Sequence, residues 1–221
     1  MLKSEIPSPE MIIRPSKRVF LPVGLPPFEK LKRNGNDQEN EMPKYDDFLK
    51  IMHRRYAHAR ITQSYIRMGS FLDDIFRIRK IGKKYFISRM LEDRLIVKEE
   101  RWHVSAAEFR ERRRNKDRKP PGLIKFRFYM SPDGMKIKPG HEDVEVELDV
   151  FVASLRGNKV VEDLRGLVIA EVRFRNLEKR DEFKVPEWLG MEITGKAGYG
   201  NSAIARYGIT NELKKLMLLL R

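Results

Sequence analysis

The stretch that decides the fold is Val144-Glu145-Val146-Glu147-Leu148-Asp149-Val150-Phe151, which sets Glu145, Glu147 and Asp149 on one face and Val144, Val146, Leu148 and Val150 on the other. Period-two alternation marks a β-strand whose two faces meet different surroundings. The pattern recurs on both sides of it. In residues 76–79 Arg77 and Arg79 share a face, and Gly82-Lys83-Lys84 reads as a hairpin turn into a strand over residues 85–90. Residues 124–129 set Lys125 and Arg127 together ahead of a Pro132-Asp133-Gly134 turn. Further on, Glu171, Arg173 and Arg175 alternate with Val172 and Phe174. Several strands with one charged face each do not suit a sandwich, whose inner faces are apolar. They suit a barrel with a polar interior and an apolar outside covered in part by helices.

Three amphipathic segments fit that covering role. Residues 46–57 bring Phe48, Ile51, Met52 and Tyr56 to one side, residues 105–114 open on Ser105 with Glu108 three positions on, and residues 211–221 align Leu213, Leu216, Met217 and Leu220. The last reads as a helix packed on its own barrel, with a dimer contact as the alternative. Residues 1–44 hold seven of the twelve prolines and a polar run at 32–41, so they form an N-terminal segment, mobile in part, ahead of a main domain at 45–221.

The 221 residues carry 46 Lys and Arg against 32 Asp and Glu, a net charge of +14, which favours anionic partners. The absence of cysteine excludes disulfides, a thiolate nucleophile and a thiolate metal site, and fits a reducing, cytoplasmic setting. No apolar run is long enough to span a bilayer, so no membrane partner is expected. His53, His58, His103 and His141 lack metal-ligand spacing. The basic run at 110–119 reads as a solvated loop, with nucleic-acid contact as the second reading.

Residues 185–195, Val-Pro-Glu-Trp-Leu-Gly-Met-Glu-Ile-Thr-Gly, followed by Tyr199-Gly200-Asn201-Ser202-Ala203-Ile204-Ala205 and preceded by the strand-like run 167–172, resemble the closing third of the CYTH family, the triphosphate tunnel enzymes. The resemblance covers roughly residues 60–207. It implies an α+β protein built on an eight-stranded antiparallel β-barrel tunnel with a few covering helices. Against that family's motifs, Arg77 and Arg79 match an Arg-x-Arg, Lys125 and Arg127 a Lys-x-Arg, and Glu147 and Asp149 a Glu-x-Asp. Elsewhere the match thins. The last Glu-x-Glu is Glu171-Val172-Arg173, a strand-end lysine is Met90, and of the middle Glu-x-Glu only Glu99 or Glu100 remains. The opening Glu-x-Glu-x-Lys falls either on Pro15, Lys17 and Val19 or on residues 39–44. The first register is preferred, because Pro43 would remove a ladder donor from an interior strand.

By this resemblance Arg77, Arg79, Lys125, Arg127 and Arg173 are the phosphate-binding residues, and Glu147, Asp149 and Glu171 are a weakened, vestigial site for Mg²⁺ or Mn²⁺. Hard cations want several converging carboxylates, and Arg173 competes for the same oxygens. The expected function is binding of a nucleotide triphosphate, tripolyphosphate or other polyanion, with little or no turnover. One alternative is an active metal-dependent triphosphatase. Another is a basic nucleic-acid-binding or structural protein that reuses the barrel.

Overall fold

The computed structural model describes residues 8–23, 44–67, 75–92, 96–113, 121–156 and 159–216. Its centre is one antiparallel sheet of eleven strands. They are β1 (Glu10–Pro15), β2 (Arg18–Leu21), β3 (Ala57–Arg67), β4 (Ile75–Ile81), β5 (Lys84–Glu92), β6 (Ile96–His103), β7 (Gly122–Met130), β8 (Val144–Arg156), β9 (Lys159–Val161), β10 (Val168–Phe174) and β11 (Met191–Glu192). The hydrogen-bonded order is β1-β6-β5-β4-β3-β7-β8-β10-β2-β11, with β9 on the end of β8. The eight-stranded closed barrel expected from the sequence is therefore corrected: the ladder is open and has eleven strands. Two of the extra strands are the short β9 and β11. The third arises because the N-terminal strand breaks at Ser16-Lys17 into β1, paired with β6, and β2, paired with β10. The strand at one end of the ladder, β1, and the next-to-last strand at the other, β2, are thus separated by only two residues of chain.

β8 explains how the sheet is used. Both of its faces are buried, the valines and leucine on one side and Glu145, Glu147 and Asp149 on the other. The apolar face joins Phe128, Met130, Val172 and Phe174 and is covered by helix α1 (Tyr45–Arg55) through Tyr45, Phe48 and Met52. That helix has Asp46 and Asp47 in its first turn and His53, Arg54 and Arg55 in its last, the order its dipole favours. Burying Phe48 and Met52 contributes roughly 1.5–3 kcal/mol each. α1 ends at Tyr56, whose extended backbone starts β3 at once, so the helix stops short of the predicted residue 57.

Helix α2 (Ala106–Arg113) starts after Ser105, whose Oγ accepts the Glu108 N–H at 3.1 Å, and sets Phe109 on Ile78 and Ile87. Residues 114–119 of the predicted basic loop lie outside the described residues. Helix α3 (Leu177–Asp181) follows β10, and α4 (Asn201–Tyr207) and α5 (Asn211–Leu216) end the described chain. Ile204, Ala205 and Leu213 from α4 and α5 pack with Leu123, Phe151, Leu167 and Ile169. α5 is thus packed on its own sheet, and Met217 and Leu220 lie outside the described residues. No described helix is long and apolar enough to cross a membrane.

The segment 185–195 holds β2 in place. Ile193 N–H donates to the Val19 carbonyl, Val19 N–H to Thr194 Oγ1, and Val23 N–H to the Trp188 carbonyl. Arg18 reaches Glu192 at 2.6 Å. Gly190 turns at φ +65°, and a Cβ there would stand 2.5 Å from the Leu21 carbonyl oxygen, so only glycine fits the turn.

Candidate functional site

The charged faces of β4, β6, β7, β8 and β10 and the β1–β2 junction meet in the interior as two ion-pair clusters. In the first, Glu99 of β6 has no exposed side-chain surface and is surrounded by arginines. Its Oε1 accepts from Arg77 Nη2 at 3.0 Å and Arg79 Nη2 at 2.7 Å, and its Oε2 from Arg14 Nη2 at 3.1 Å and Arg101 Nη2 at 3.3 Å. Burial alone would raise the Glu99 carboxyl, but Arg77, Arg79, Arg101 and Arg14 hold it far below the ordinary range. The cations suffer in turn. Burial and the Arg173 charge lower Arg14 to about 10, and burial with Arg77 lowers Arg79 strongly. Arg79 Nε is buried with no hydrogen-bond partner among the described residues.

The second cluster joins β7, β8 and β10. Arg127 donates through Nε to Asp149 Oδ1 at 2.8 Å, through Nη2 to Asp149 Oδ2 at 2.7 Å and Glu171 Oε2 at 2.9 Å, and through Nη1 to Glu147 Oε2. Lys125 also pairs with Asp149, Arg173 Nε lies 2.5 Å from Glu147 Oε2, and Lys17 Nζ lies 2.7 Å from Glu171 Oε1. Asn201 Nδ2 donates to that same Glu171 oxygen at 3.3 Å. Burial alone would raise Glu147 and Glu171, yet the surrounding cations keep both below the ordinary carboxylate range. For Lys125 burial outweighs Asp149 and lowers the ammonium to about 8.

Tyr65 of β3 stands between the clusters, its hydroxyl accepting from Gln63 and its ionisation suppressed by burial. Beyond Asp149 and Lys125 the same faces turn apolar. Phe151 lies opposite Lys125 and Ile169 opposite Asp149, and α4 and α5 pack there. One end of the charged interior is thereby stoppered.

All eight residues singled out from the sequence lie in these two clusters. Arg77 and Arg79 serve the first, and Lys125, Arg127, Arg173, Glu147, Asp149 and Glu171 the second. The sequence reading missed Arg14 and Arg101 as members, placed Lys17 only as an interior position of the opening strand, and left Glu99 undecided. A period-two count through β6 finds Val97, Glu99 and Arg101 on one face. Arg14 and Lys17 are three apart and share the interior only because the strand breaks between them. The rival opening strand at 39–44 lies largely outside the described residues.

The carboxylates do not fit a divalent ion as they stand. Arg127 takes both oxygens of Asp149 and one each of Glu147 and Glu171, and Lys17 with Asn201 takes the other oxygen of Glu171. Among the described residues no group of three or more acidic or histidine side chains is arranged to hold a metal.

Comparison with known proteins gives structural likeness only. No family model and no curated protein matches the sequence. The inorganic triphosphatase NE1496 is 19% identical, with 88% of this chain and 95% of that chain covered, at a TM-score of 0.49. The S. pombe Pct1 RNA triphosphatase, solved in complex with the Spt5 CTD, is 14% identical, with 79% of this chain and 76% of that chain covered, at 0.35.

Proposed function

We propose that this protein binds a triphosphate or other short polyphosphate inside its curled sheet without needing a metal ion, as a divergent CYTH-like protein. The observation that carries this is the Glu99 cluster, where four arginines converge on one buried carboxylate. A buried charge without a counter-charge is costly, so an excess of guanidinium groups in a partly dry interior favours an anion. Guanidinium forks match phosphate oxygens in pairs, and Arg79 Nε has a donor to offer. In this reading Arg14, Arg77, Arg79 and Arg101 take the phosphate oxygens. Lys125, Arg127 and Arg173 supply positive potential while pinned to their carboxylates. In this reading the apolar packing around α4 and α5 closes one end of the interior, and the ligand enters from the other.

The carboxylates held by Arg127 cannot gather an ion for phosphoryl transfer until that arginine lets go, which supports binding over turnover. Calorimetry with tripolyphosphate in EDTA tests the proposal. Binding in the chelator, weakening as salt rises, is the expected result. Heat that develops only after Mg²⁺ or Mn²⁺ is added would favour a metal-dependent triphosphatase instead.

A further inference from the structure

Residues 57–67 and 75–91, which form β3, β4 and nearly all of β5, contain no aspartate or glutamate, and eight lysines and arginines. Arg77 and Arg79 are spent in the interior, and others remain for the outside. Lys80, Lys83 and Lys84 are exposed at the β4–β5 hairpin. Exposed Arg60 adjoins them on β3, its carbonyl accepting the Gly82 N–H at 3.3 Å.

Helix α2 extends this basic face. The Lys80 ammonium lies 5.6 Å from the Tyr85 ring centroid, Tyr85 lies 5.0 Å from Phe109, and the Arg113 guanidinium lies 5.8 Å from Phe109 on its other side. A seam of buried Phe109 and half-buried Tyr85 therefore carries a cation at each end, and Arg110 is exposed nearby on the same helix. The acids of α2 do little to cancel this, because Glu108 is paired with Arg112 at 2.8 Å and only Glu111 is left exposed.

We propose that this outer face, built from the β4–β5 hairpin, Arg60 and α2, is a nucleic-acid surface that grips the phosphate backbone without reading sequence. Its cations are fixed by a strand pair and a packed helix, and among the described residues none of the large exposed apolar side chains, such as Met11, Ile13 or Val160, lies on it. A membrane-binding face would need apolar groups to insert alongside its charges. Lys80 and Phe109 already lie against the Tyr85 ring, and the exposed groups of this face are cations, so the contact is electrostatic.

The surface is separate from the interior site, and the test keeps them apart. The Lys80→Gln, Lys83→Gln, Lys84→Gln variant and wild type are titrated with a fluorescent 20-nucleotide single-stranded RNA over a range of salt. The expected result is RNA binding by wild type that persists in saturating tripolyphosphate. In the variant the slope of log K against log salt becomes shallower by about 2, the share of three lost phosphate contacts on a single strand. The same variant binds tripolyphosphate as wild type does. An unchanged RNA slope, competition by tripolyphosphate, or loss of phosphatidylserine-vesicle binding with RNA binding intact would each overturn the proposal. An unaltered melting temperature confirms that the exposed substitutions leave the fold in place.

Discussion

Glu147 and Glu171 stand directly opposite one another on β8 and β10, and Arg127 from β7 holds an oxygen of each. Like charges in cross-strand register destabilise a sheet. Here the guanidinium turns the repulsion into a bridge that ties three strands together, and Arg173 repeats the bridge from the side with 2.5 and 3.7 Å contacts.

Arg127 is accordingly a structural cation. Arg127→Gln leaves Glu147, Asp149 and Glu171 short of their partner, and the expected cost is about 3–5 kcal/mol at pH 7, as for other broken buried pairs. Without the arginine the Glu147 and Glu171 carboxyls rise, so acid neutralises them and the deficit shrinks toward pH 4.5. Urea denaturation at both pH values measures this, and an equal loss at the two would refute the bridge.

Glu99 is held ionised by four arginines, so its folded pKa is depressed. Its contribution to stability is full above the unfolded carboxyl value of about 4.3 and fades as pH falls through the folded value. Glu99→Gln should remove this acid-sensitive part of the stability curve and cost about 3–5 kcal/mol at pH 7. Because the four arginines then lose the carboxylate they share, tripolyphosphate should raise the melting temperature of the variant more than that of wild type. A smaller rise in the variant would mean the ligand lies elsewhere.

Lys125 is lowered to about 8. As pH climbs through that value the interior loses one positive charge, so polyphosphate affinity should step down between pH 7 and 9. Over the interval up to the unfolded lysine value of about 10.4 the unfolded chain binds the extra proton, so stability from this group rises with pH. In Lys125→Met the affinity step should vanish. Calorimetry across that range decides it, and a step that survives the substitution would assign it to another group.

Gly190→Ala should cost at least about 2 kcal/mol, combining left-handed backbone strain with the 2.5 Å approach of the new Cβ to the Leu21 carbonyl. The loss should appear as earlier exposure of residues 18–21 in hydrogen exchange. A variant as stable as wild type would show that the turn relaxes freely.

How much of this was legible depends on how regular each strand is. β7, β8 and β10 declared themselves because their central charges sit on alternate positions, and β4 because Arg77 and Arg79 do so ahead of the outward Lys80; the eight residues drawn from these strands fall in the two interior clusters. β6 did not, since Lys98 and Glu100 carry charge on its outer face while Glu99 and Arg101 carry it inside, so charge alone could not pick the face. Arg14 was hidden by the break at Ser16-Lys17, where the two-residue period stops. The closed eight-stranded count failed at the same break, because a chain that looks like one strand divides its hydrogen bonds between β6 and β10. Occupation of the carboxylates by Arg127 could not be read at all. It depends on the register of β7 against β8, including the irregularity at Ile124/Lys125.

That break also dictates a timetable. β2 leaves the ribosome long before it can be seated, because Phe20 waits for Ala170 and Leu21 for Met191. At 5–20 residues per second, about 170 residues of synthesis separate emergence from docking, an interval of roughly 10–30 s. For most of it Lys17 faces solvent, because Glu171 has yet to be made. Pairings of such long sequence separation make for slow folding, so assembly of the charged interior should be the final and slowest step in the birth of the molecule.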